Sequence, residues 1–162
     1  MRPPRIPRRL IRAAVTSLQQ VRKIVWFFTR VRSYGVHAAP FTPEGKVVLV
    51  WLTYADGWRC PGGGRREREA PDDAVLRELR EEIGLTAHGA LRLLGCREDR
   101  PDFRRDTSHL FLISDVRYRA LQNLEIERVA EFDPLALPPE TTALTRRHVA
   151  LALDARAATR SP

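Results

Sequence analysis

Apolar residues that run together or alternate indicate β-strands through the middle of the chain. Residues 47–52 form an almost unbroken apolar run, which is typical of a strand covered on both faces. The pair Asp56-Gly57 is a turn signal that returns the chain into a short strand. Strands are predicted at residues 36–41, 46–54, 58–60, 90–96, 109–115 and 126–132. The polar segment at residues 97–107 is predicted to be a loop.

Apolar residues at three- and four-residue steps indicate helices. A helix is predicted at residues 71–83, where Pro71 fits the first turn and Gly84 fits the residue after the last. Residues 141–153 predict a final helix capped by Thr141 or Thr142, and residues 8–31 predict a helix with one apolar face. Strands on either side of helices predict an α/β chain of the α+β sandwich type, with a mixed β-sheet flanked by helices.

The positive charge of the chain is concentrated at its beginning. The 162 residues include 28 Lys and Arg against 20 Asp and Glu, a formal net charge of +8. Residues 1–32 hold nine of the basic residues and no acid, so residues 33–162 are close to neutral. We therefore expect a basic amphipathic leader helix at residues 1–32 and one domain at residues 33–162. No specific nucleic-acid partner is predicted.

The leader has several interpretations. The aromatic residues 26–28 beside basic residues suit a helix that lies on an anionic membrane surface through residues 8–31. The alternatives are charge-driven binding of nucleic acid, or docking on the domain or on a second subunit, which would give a homodimer. Polar residues at 19, 20, 22 and 23 interrupt any apolar core of a secretory signal. The expected location is the cytoplasm. The alternative is a cytoplasmic protein that associates peripherally with a membrane.

The cysteines and histidines do not form a recognisable metal motif. Cys60 and Cys96 lack a CxxC spacing and are interpreted as reduced thiols packed in the core. The histidines show no metal-ligand spacing and are interpreted as structural or exposed; they are His37, His88, His109 and His148. A structural zinc site is not expected.

Three glutamates share one face of the predicted helix at residues 71–83. Glu78, Glu81 and Glu82 stand at positions i, i+3 and i+4, which project to the same side. Like charges at these spacings destabilise a helix by about 0.2–0.5 kcal/mol per pair, and a bound cation would relieve the repulsion. Carboxylate oxygens suit Mg²⁺ or Mn²⁺. The alternative is a solvated acidic face that pairs with Arg77 and Arg80.

The spacing around these glutamates follows a longer pattern, G-x5-E-x7-R-E-U-x-E-E-x-G-U, in which U is apolar. Its positions are Gly63, Glu69, Arg77, Glu78, Leu79, Glu81, Glu82, Gly84 and Leu85. This pattern resembles the Nudix box at all nine specified positions. The wider chain, over about residues 33–153, resembles bacterial, MutT-like Nudix hydrolases, with similar segments at residues 57–64 and 131–138.

The resemblance implies a Nudix fold in which a loop, a helix and a loop hold a divalent metal against a diphosphate. It implies Mg²⁺ or Mn²⁺ as cofactor, with four metal ligands: the Gly63 backbone carbonyl, Glu78, Glu81 and Glu82. Glu69 and Arg77 would pair, brace the loop against the helix and orient the ligands.

The general base is not specified by the resemblance. Glu78 and Glu82 are catalytic candidates within the box, and Glu98 and Glu125 are candidates outside it. The alternative for the last two is an exposed loop charge.

Three further residues are candidates for substrate binding. Arg65 and Arg66 would bind substrate phosphates, or they face solvent. Trp51 would stack on a base, or it fills the core.

Three positions depart from the family pattern, one of which is Trp51, where similar proteins commonly carry arginine. The residue before Glu69 is often glycine in relatives and here is Arg68. Ala70 occupies a place where relatives often carry a capping Thr or Ser, a change that costs about 1 kcal/mol of helix stability.

The resemblance implies a Mg²⁺-dependent hydrolase that cleaves the diphosphate linkage of a nucleoside diphosphate linked to another moiety. Water would attack phosphorus with the help of the metal. The substrate would be a small, nucleotide-type molecule. The alternative is a catalytically silent Nudix-fold module that only binds nucleotides.

Overall fold

A computed structural model of the chain describes residues 33–66, 68–99, 106–120 and 124–160. These residues form β1 Ser33–Pro40, β2 Val47–Leu52, β3 Trp58–Arg59, β4 Gly62–Gly64, α1 Pro71–Ile83, β5 Leu85–Ala87, β6 Leu91–Asp99, β7 Asp106–Ile113, β8 Arg117–Tyr118, β9 Ile126–Phe132 and α2 Ala143–Arg160. The helix predicted at residues 8–31 lies outside the described residues. In the described ranges, no helix combines the length and apolar character needed to cross a membrane.

The strands form a four-stranded sheet, a three-stranded sheet and a two-stranded ribbon. The larger sheet has the order β4-β1-β7-β6, and it is mixed because β1 and β7 run parallel while its other pairs are antiparallel. The second sheet, β3-β2-β9, is antiparallel, and β5 pairs with β8. The prediction of a mixed sheet flanked by helices is therefore confirmed.

Strand β2 is buried on both faces, as its continuous apolar run predicts. Val48 and Val50 belong to a hydrophobic cluster that includes one face of α1. Val47 and Leu49 belong to a second cluster, which α2 covers. Since successive side chains of a strand point to opposite faces, the unbroken apolar run is needed to contact both helices.

Helix α1 begins and ends at the predicted residues. At the start of the helix, Ala70 provides no side-chain cap. At its end, Gly84 has φ 71, and the Gly84 N–H donates to the Leu79 carbonyl. Leu79 and Ile83 are fully buried against both sheets. Full burial of such a side chain contributes about 1.5–3 kcal/mol, which outweighs the missing cap. Packing of its apolar face therefore holds α1 in place.

Several element boundaries differ from the prediction. Strands β5 and β8 were not predicted, because three and two residues are too short to show an alternating pattern. The predicted loop at 97–107 was wrong at both ends, where Glu98 pairs with Thr107 in the ladder between β6 and β7. Helix α2 starts after Thr142, whose Oγ1 accepts the Thr145 N–H at 3.3 Å, and it continues beyond the predicted end at residue 153.

The two cysteines have different environments. Cys60 is buried, as predicted, and burial raises the pKa of its thiol to about 12. The prediction that Cys96 is packed in the core was wrong, because this residue is exposed on β6. Leu93 and Leu94 are consecutive apolar residues of this strand, so its sequence does not alternate and does not identify the exposed face.

Arg68 occupies the left-handed backbone region, with φ 64. A side chain in this region costs about 1–2 kcal/mol, which glycine avoids. We expect Arg68→Gly to raise the free energy of unfolding by about 1 kcal/mol in urea denaturation. Arg68→Ala is the matched control: it removes the same charge but keeps the β-carbon, so it should leave stability almost unchanged. A Gly variant no more stable than the Ala variant would contradict this assignment.

Candidate active site

Two glycines of β4 have no room for a side chain, Gly62 because β1 lies against it and Gly63 because α1 does. A β-carbon on Gly62 would lie 2.1 Å from the Val36 backbone oxygen, and Gly62 has φ 150. A β-carbon on Gly63 would lie 2.6 Å from the Glu78 carboxylate. The glycines therefore allow the carboxylates of α1 to reach the β4 backbone.

Glu82 lies at the buried end of this contact. It is 8% exposed, and its Oε2 accepts the Gly62 N–H at 2.8 Å. Burial raises the pKa of Glu82 to about 8, against the lowering effect of the Gly62 hydrogen bond. The negative charges of Glu78, Glu125 and Glu81 raise this pKa further. The site therefore concentrates acidic charge around one buried carboxylate.

Arg77 binds Glu78 and faces Glu81. Its Nη1 donates to Glu78 Oε1 at 2.7 Å and lies 3.4 Å from Glu81 Oε2. The Glu78 side chain is only 13% exposed, and burial raises its pKa while Arg77 lowers it. Arg77 therefore holds Glu78 in a fixed position and compensates part of the acidic charge.

The same guanidinium ties the loop before α1 to the helix. Arg77 Nε and Nη2 donate to the two Glu69 oxygens at 2.8 and 3.0 Å, and Nη2 also donates to the Gly64 carbonyl at 2.9 Å. The bonds from Arg77 and from the Arg66 N–H lower the pKa of Glu69 to about 2. This is the pairing that the family resemblance implies for Glu69 and Arg77.

The two candidate phosphate-binding arginines lie in different surroundings. Arg66 reaches the outer edge of the carboxylate face, where its Nη2 lies 3.8 Å from Oε1 of the exposed Glu81. Arg65 instead stacks on the Tyr34 ring, 4.5 Å from its centre. The structure thus brings Arg66 to the site and holds Arg65 against β1.

Trp51 lies outside the site. It contacts Trp58 edge to face with ring centres 5.5 Å apart, and the Arg128 guanidinium lies 4.5 Å from its ring. Its neighbours Val50 and Leu52 line the cleft described below, so Trp51 points to the opposite face of β2. This placement agrees with the packing interpretation of Trp51.

Of the two candidate bases outside the box, Glu125 lies near the carboxylates. Its charge raises the pKa of both Glu78 and Glu82, and its backbone carbonyl accepts the Thr53 N–H at 2.8 Å. The backbone of Glu98 belongs to β6, paired with Thr107. The catalytic roles of both residues stay predictions.

A cleft of about 220 Å³ opens beside Glu82. Its lining includes Gly62, Glu82, Arg59, Tyr54, His37 and His148. Arg59 has a buried Nε without a hydrogen-bond partner among the described residues, while its Nη2 donates to the Asp56 carbonyl at 3.3 Å. The cleft is therefore lined by both the buried Glu82 carboxylate and a guanidinium whose Nε has no hydrogen-bond partner among the described residues.

Sequence reasoning missed these cleft residues. His37 and His148 were interpreted as structural or exposed, yet both line the cleft, with ring centres 5.6 Å apart. Arg59 sits in a two-residue strand, which shows no periodicity. The only sequence signal was the position of Arg59 just before the Pro61–Gly64 segment.

The donor set fits a hard divalent cation. The described residues contain no group of three His, Cys, Asp or Glu side chains already arranged around a metal position. However, Glu78, Glu81 and Glu82 provide carboxylate oxygens on one side of α1, and burial together with the charges of Glu78, Glu125 and Glu81 raises the pKa of Glu82. Oxygen ligands and excess negative charge are the chemistry that Mg²⁺ and Mn²⁺ require.

The two β4 glycines predict different effects of the same substitution. Gly62→Ala meets backbone atoms of β1, so it should lower the free energy of unfolding by about 3 kcal/mol. Gly63→Ala meets only the end of the Glu78 side chain, which can rotate away, so folding should change by less than about 1 kcal/mol. Urea denaturation measures both. Equal destabilisation by the two substitutions would contradict this geometry.

The sequence has clear relatives. It matches the family model for the NUDIX domain over residues 31–153. Among curated proteins, it is 46% identical to an RNA pyrophosphohydrolase of Hydrogenovibrio crunogenus over 56 residues, 35% of this chain and 33% of that protein. It is 42% identical over 52 residues to an RNA pyrophosphohydrolase of Pseudomonas aeruginosa, 32% of each chain. The chain thus matches about a third of the length of these relatives.

Solved structures show the same fold. A MutT NUDIX hydrolase from Burkholderia pseudomallei has a TM-score of 0.63 and 24% identity, covering 75% of this chain and 98% of that one. An ADP-ribose pyrophosphatase from Streptococcus suis has a TM-score of 0.58 and 25% identity, covering 81% and 94%. A UDP-X diphosphatase has a TM-score of 0.62 and 22% identity, covering 78% and 64%. With the family match across most of the described residues and the box geometry in place, the chain belongs to the NUDIX domain family.

Proposed function

We propose that this chain is a divalent-metal-dependent hydrolase that cleaves the diphosphate linkage of a nucleoside diphosphate linked to another moiety. The observation that carries the proposal is the buried Glu82 carboxylate, which is surrounded by other acids and open to a cleft. The similar proteins also support hydrolysis of a diphosphate linkage, since they include an RNA pyrophosphohydrolase, an ADP-ribose pyrophosphatase and a UDP-X diphosphatase.

The metal ligands in this proposal are the Gly63 backbone carbonyl, Glu78, Glu81 and Glu82. Bound Mg²⁺ or Mn²⁺ would neutralise the charge of the diphosphate and increase the acidity of the attacking water. The Gly62 N–H fixes the Glu82 carboxylate, and Arg77 fixes Glu78. Both orientations are therefore present before any ligand binds, which reduces the reorganisation needed for catalysis.

Glu125 is the preferred general base. Its charge acts on Glu78 and Glu82, which places it near the carboxylates, while its side chain remains exposed. A carboxylate beside the metal ligands can accept the proton of an attacking water. Glu98 remains the second candidate from the sequence.

Two arginines are candidates for binding substrate phosphates. Arg59 lines the cleft together with Glu82, and Arg66 lies beside Glu81. A guanidinium carries only donors and suits phosphate oxygens. Arg59 therefore joins Arg66 as a candidate for phosphate binding, while Arg65 is engaged with Tyr34.

The alternative is a catalytically silent nucleotide-binding module. Such a module would not need all three carboxylates of α1, and placing like charges together destabilises the helix. The complete set, with Glu82 buried, favours catalysis.

The membrane-contact and homodimer hypotheses concern the leader at residues 1–32, which lies outside the described residues. They stay predictions, as do the division at residue 32 and the cytoplasmic location.

Hydrolysis of a panel of nucleoside diphosphate derivatives with Mg²⁺ or Mn²⁺ tests the proposal. Glu82→Gln should lower kcat by about 100-fold or more, because it removes a metal ligand and its charge. Asp73→Asn is the matched control, since it neutralises an exposed acid on the same helix and should change kcat less than twofold. Binding of nucleotides without turnover on the whole panel would favour the silent module instead.

A further inference from the structure

Helix α2 begins beside the short strand that carries Arg59. Strand β3 pairs with β2 on one side. On its other side, Trp58 forms a parallel bridge with Thr141, just before α2 begins. The Trp58 N–H donates to the Glu140 carbonyl at 3.1 Å, and the Trp58 carbonyl accepts the Thr142 N–H at 3.2 Å. The segment before α2 thus pairs with β3 through Trp58.

This pairing ends where the chain turns into a helix. Since α2 starts at Ala143, its backbone is already helical where the next strand partner would stand. The N–H of Cys60, two residues beyond Trp58, instead donates to Oγ1 of Thr145 at 3.2 Å. A buried N–H without a partner is costly, so a side chain from the first turn of α2 takes the place of the missing backbone acceptor.

The Thr145 hydroxyl is held in place by its surroundings. Thr145 is 3% exposed, and its Oγ1 also accepts a hydrogen bond from the Thr142 hydroxyl at 2.9 Å. The Thr142 Oγ1 in turn accepts the Thr145 N–H at 3.3 Å. A β-branched side chain in a helix has few χ1 rotamers, so this hydroxyl has little freedom. Thr145 therefore fixes the Cys60 backbone relative to α2.

The residues after Cys60 join this contact to the carboxylates. The Pro61 carbonyl accepts the Ala38 N–H of β1 at 2.9 Å, and the Gly62 N–H donates to Glu82 at 2.8 Å. Three successive residues of this segment are thus bonded to α2, β1 and α1. The backbone on the far side of Cys60 from Arg59 is fixed by these further contacts.

Arg59 depends more on the Thr145 contact than Gly62 does. Gly62 is bonded to Glu82 and enclosed by the backbone of β1. The Arg59 Nη2 lies 3.3 Å from the Asp56 carbonyl, and its buried Nε has no hydrogen-bond partner among the described residues. Because these side-chain contacts are weak, the direction of the guanidinium depends on the backbone that carries it. The bond from Cys60 to Thr145 fixes that backbone immediately beyond Arg59.

We propose that Thr145 is a positioning residue, whose hydroxyl holds β3 so that the Arg59 guanidinium is directed at the substrate phosphates. This inference rests on the phosphate-binding role of Arg59 in the proposed function above. Thr145 acts through Arg59, by fixing the direction of its donors before the ligand arrives. Donors that are fixed in advance reduce the cost of ordering the site on binding.

A double-mutant cycle in the full chain tests this coupling. Calorimetry with Mg²⁺ measures the binding of methylenediphosphonate, a diphosphate analogue whose P–C–P bridge resists hydrolysis, to wild type, both single variants and the double variant. Arg59→Met and Thr145→Val should each weaken binding about tenfold, and the double variant should bind no more weakly than Arg59→Met. Losses that add in the double variant would overturn the proposal, because Thr145 would then act independently of Arg59.

Two control variants separate the hydroxyl from the packing around it. Thr145→Ser keeps the acceptor and should bind within about twofold of wild type. Thr159→Val makes the same change near the end of α2, where the hydroxyl bonds to Arg92 and Ala155, and should leave binding unchanged. If Thr145→Val does not fold, Thr145→Ala removes the hydroxyl without adding bulk and completes the same cycle. A loss in Thr145→Ser equal to that in Thr145→Val would overturn the role of the hydroxyl.

The cycle gives a result whether or not the chain hydrolyses a nucleotide, because binding of the diphosphonate needs no cleavage. Coupled losses without turnover on any nucleotide would contradict the hydrolase function and keep the role of Thr145. Turnover with additive losses would do the reverse. A wild type that does not bind the diphosphonate would overturn the phosphate-binding role of Arg59, and the role of Thr145 with it.

Discussion

The hydrogen bond from the Gly62 N–H to the buried Glu82 carboxylate fixes this carboxylate against β4, on a helix that is held in place by its apolar face. A carboxylate that is 8% exposed has lost most of its hydration, so it needs a directed donor to remain in place. Only glycine at position 62 allows the backbone to approach β1 while this donor points at α1. Glu78 then lies directly against Gly63. The contact between β4 and α1 thus fixes the positions of the Glu78 and Glu82 carboxylates.

Arg77 limits the electrostatic cost of this arrangement without removing it. Its five donors serve Glu69, Glu78 and the Gly64 carbonyl, and one of them faces Glu81. Glu82 receives none of them, and its raised pKa reflects that burial and the remaining negative charges. A site that is rigid, acidic and open to a cleft is suited to a divalent cation and an anionic substrate. Because its donors are bonded to Glu69, Glu78 and the Gly64 carbonyl, Arg77 supports the site structurally.

The sequence predicts elements that are long or marked by capping residues, and it misses contacts that arise only in three dimensions. The prediction of helix α1 was correct at both ends because Pro71, Gly84 and the regular apolar face all indicate the same helix boundaries. The cleft escaped prediction because His37, Arg59 and His148 come from β1, β3 and α2, which are far apart in the chain. Trp51 lies on the face of β2 opposite to Val50 and Leu52, which line the cleft, and an unbroken apolar run does not show which face meets the site. Arg68 has a left-handed φ of 64, and an arginine in the sequence gives no indication of that backbone conformation.

The cation requirement of the carboxylate cluster can be measured without any substrate. Urea unfolding of the full chain with and without Mg²⁺ or Mn²⁺ compares the stability of wild type and Glu81→Gln. If α1 holds the cation, wild type should gain about 2.7 kcal/mol when the metal is present at about 100 times its dissociation constant. Glu81 is exposed, so Glu81→Gln should fold normally and lose most of that gain. An equal gain in both proteins, or no gain in wild type, would contradict metal binding by the carboxylates of α1.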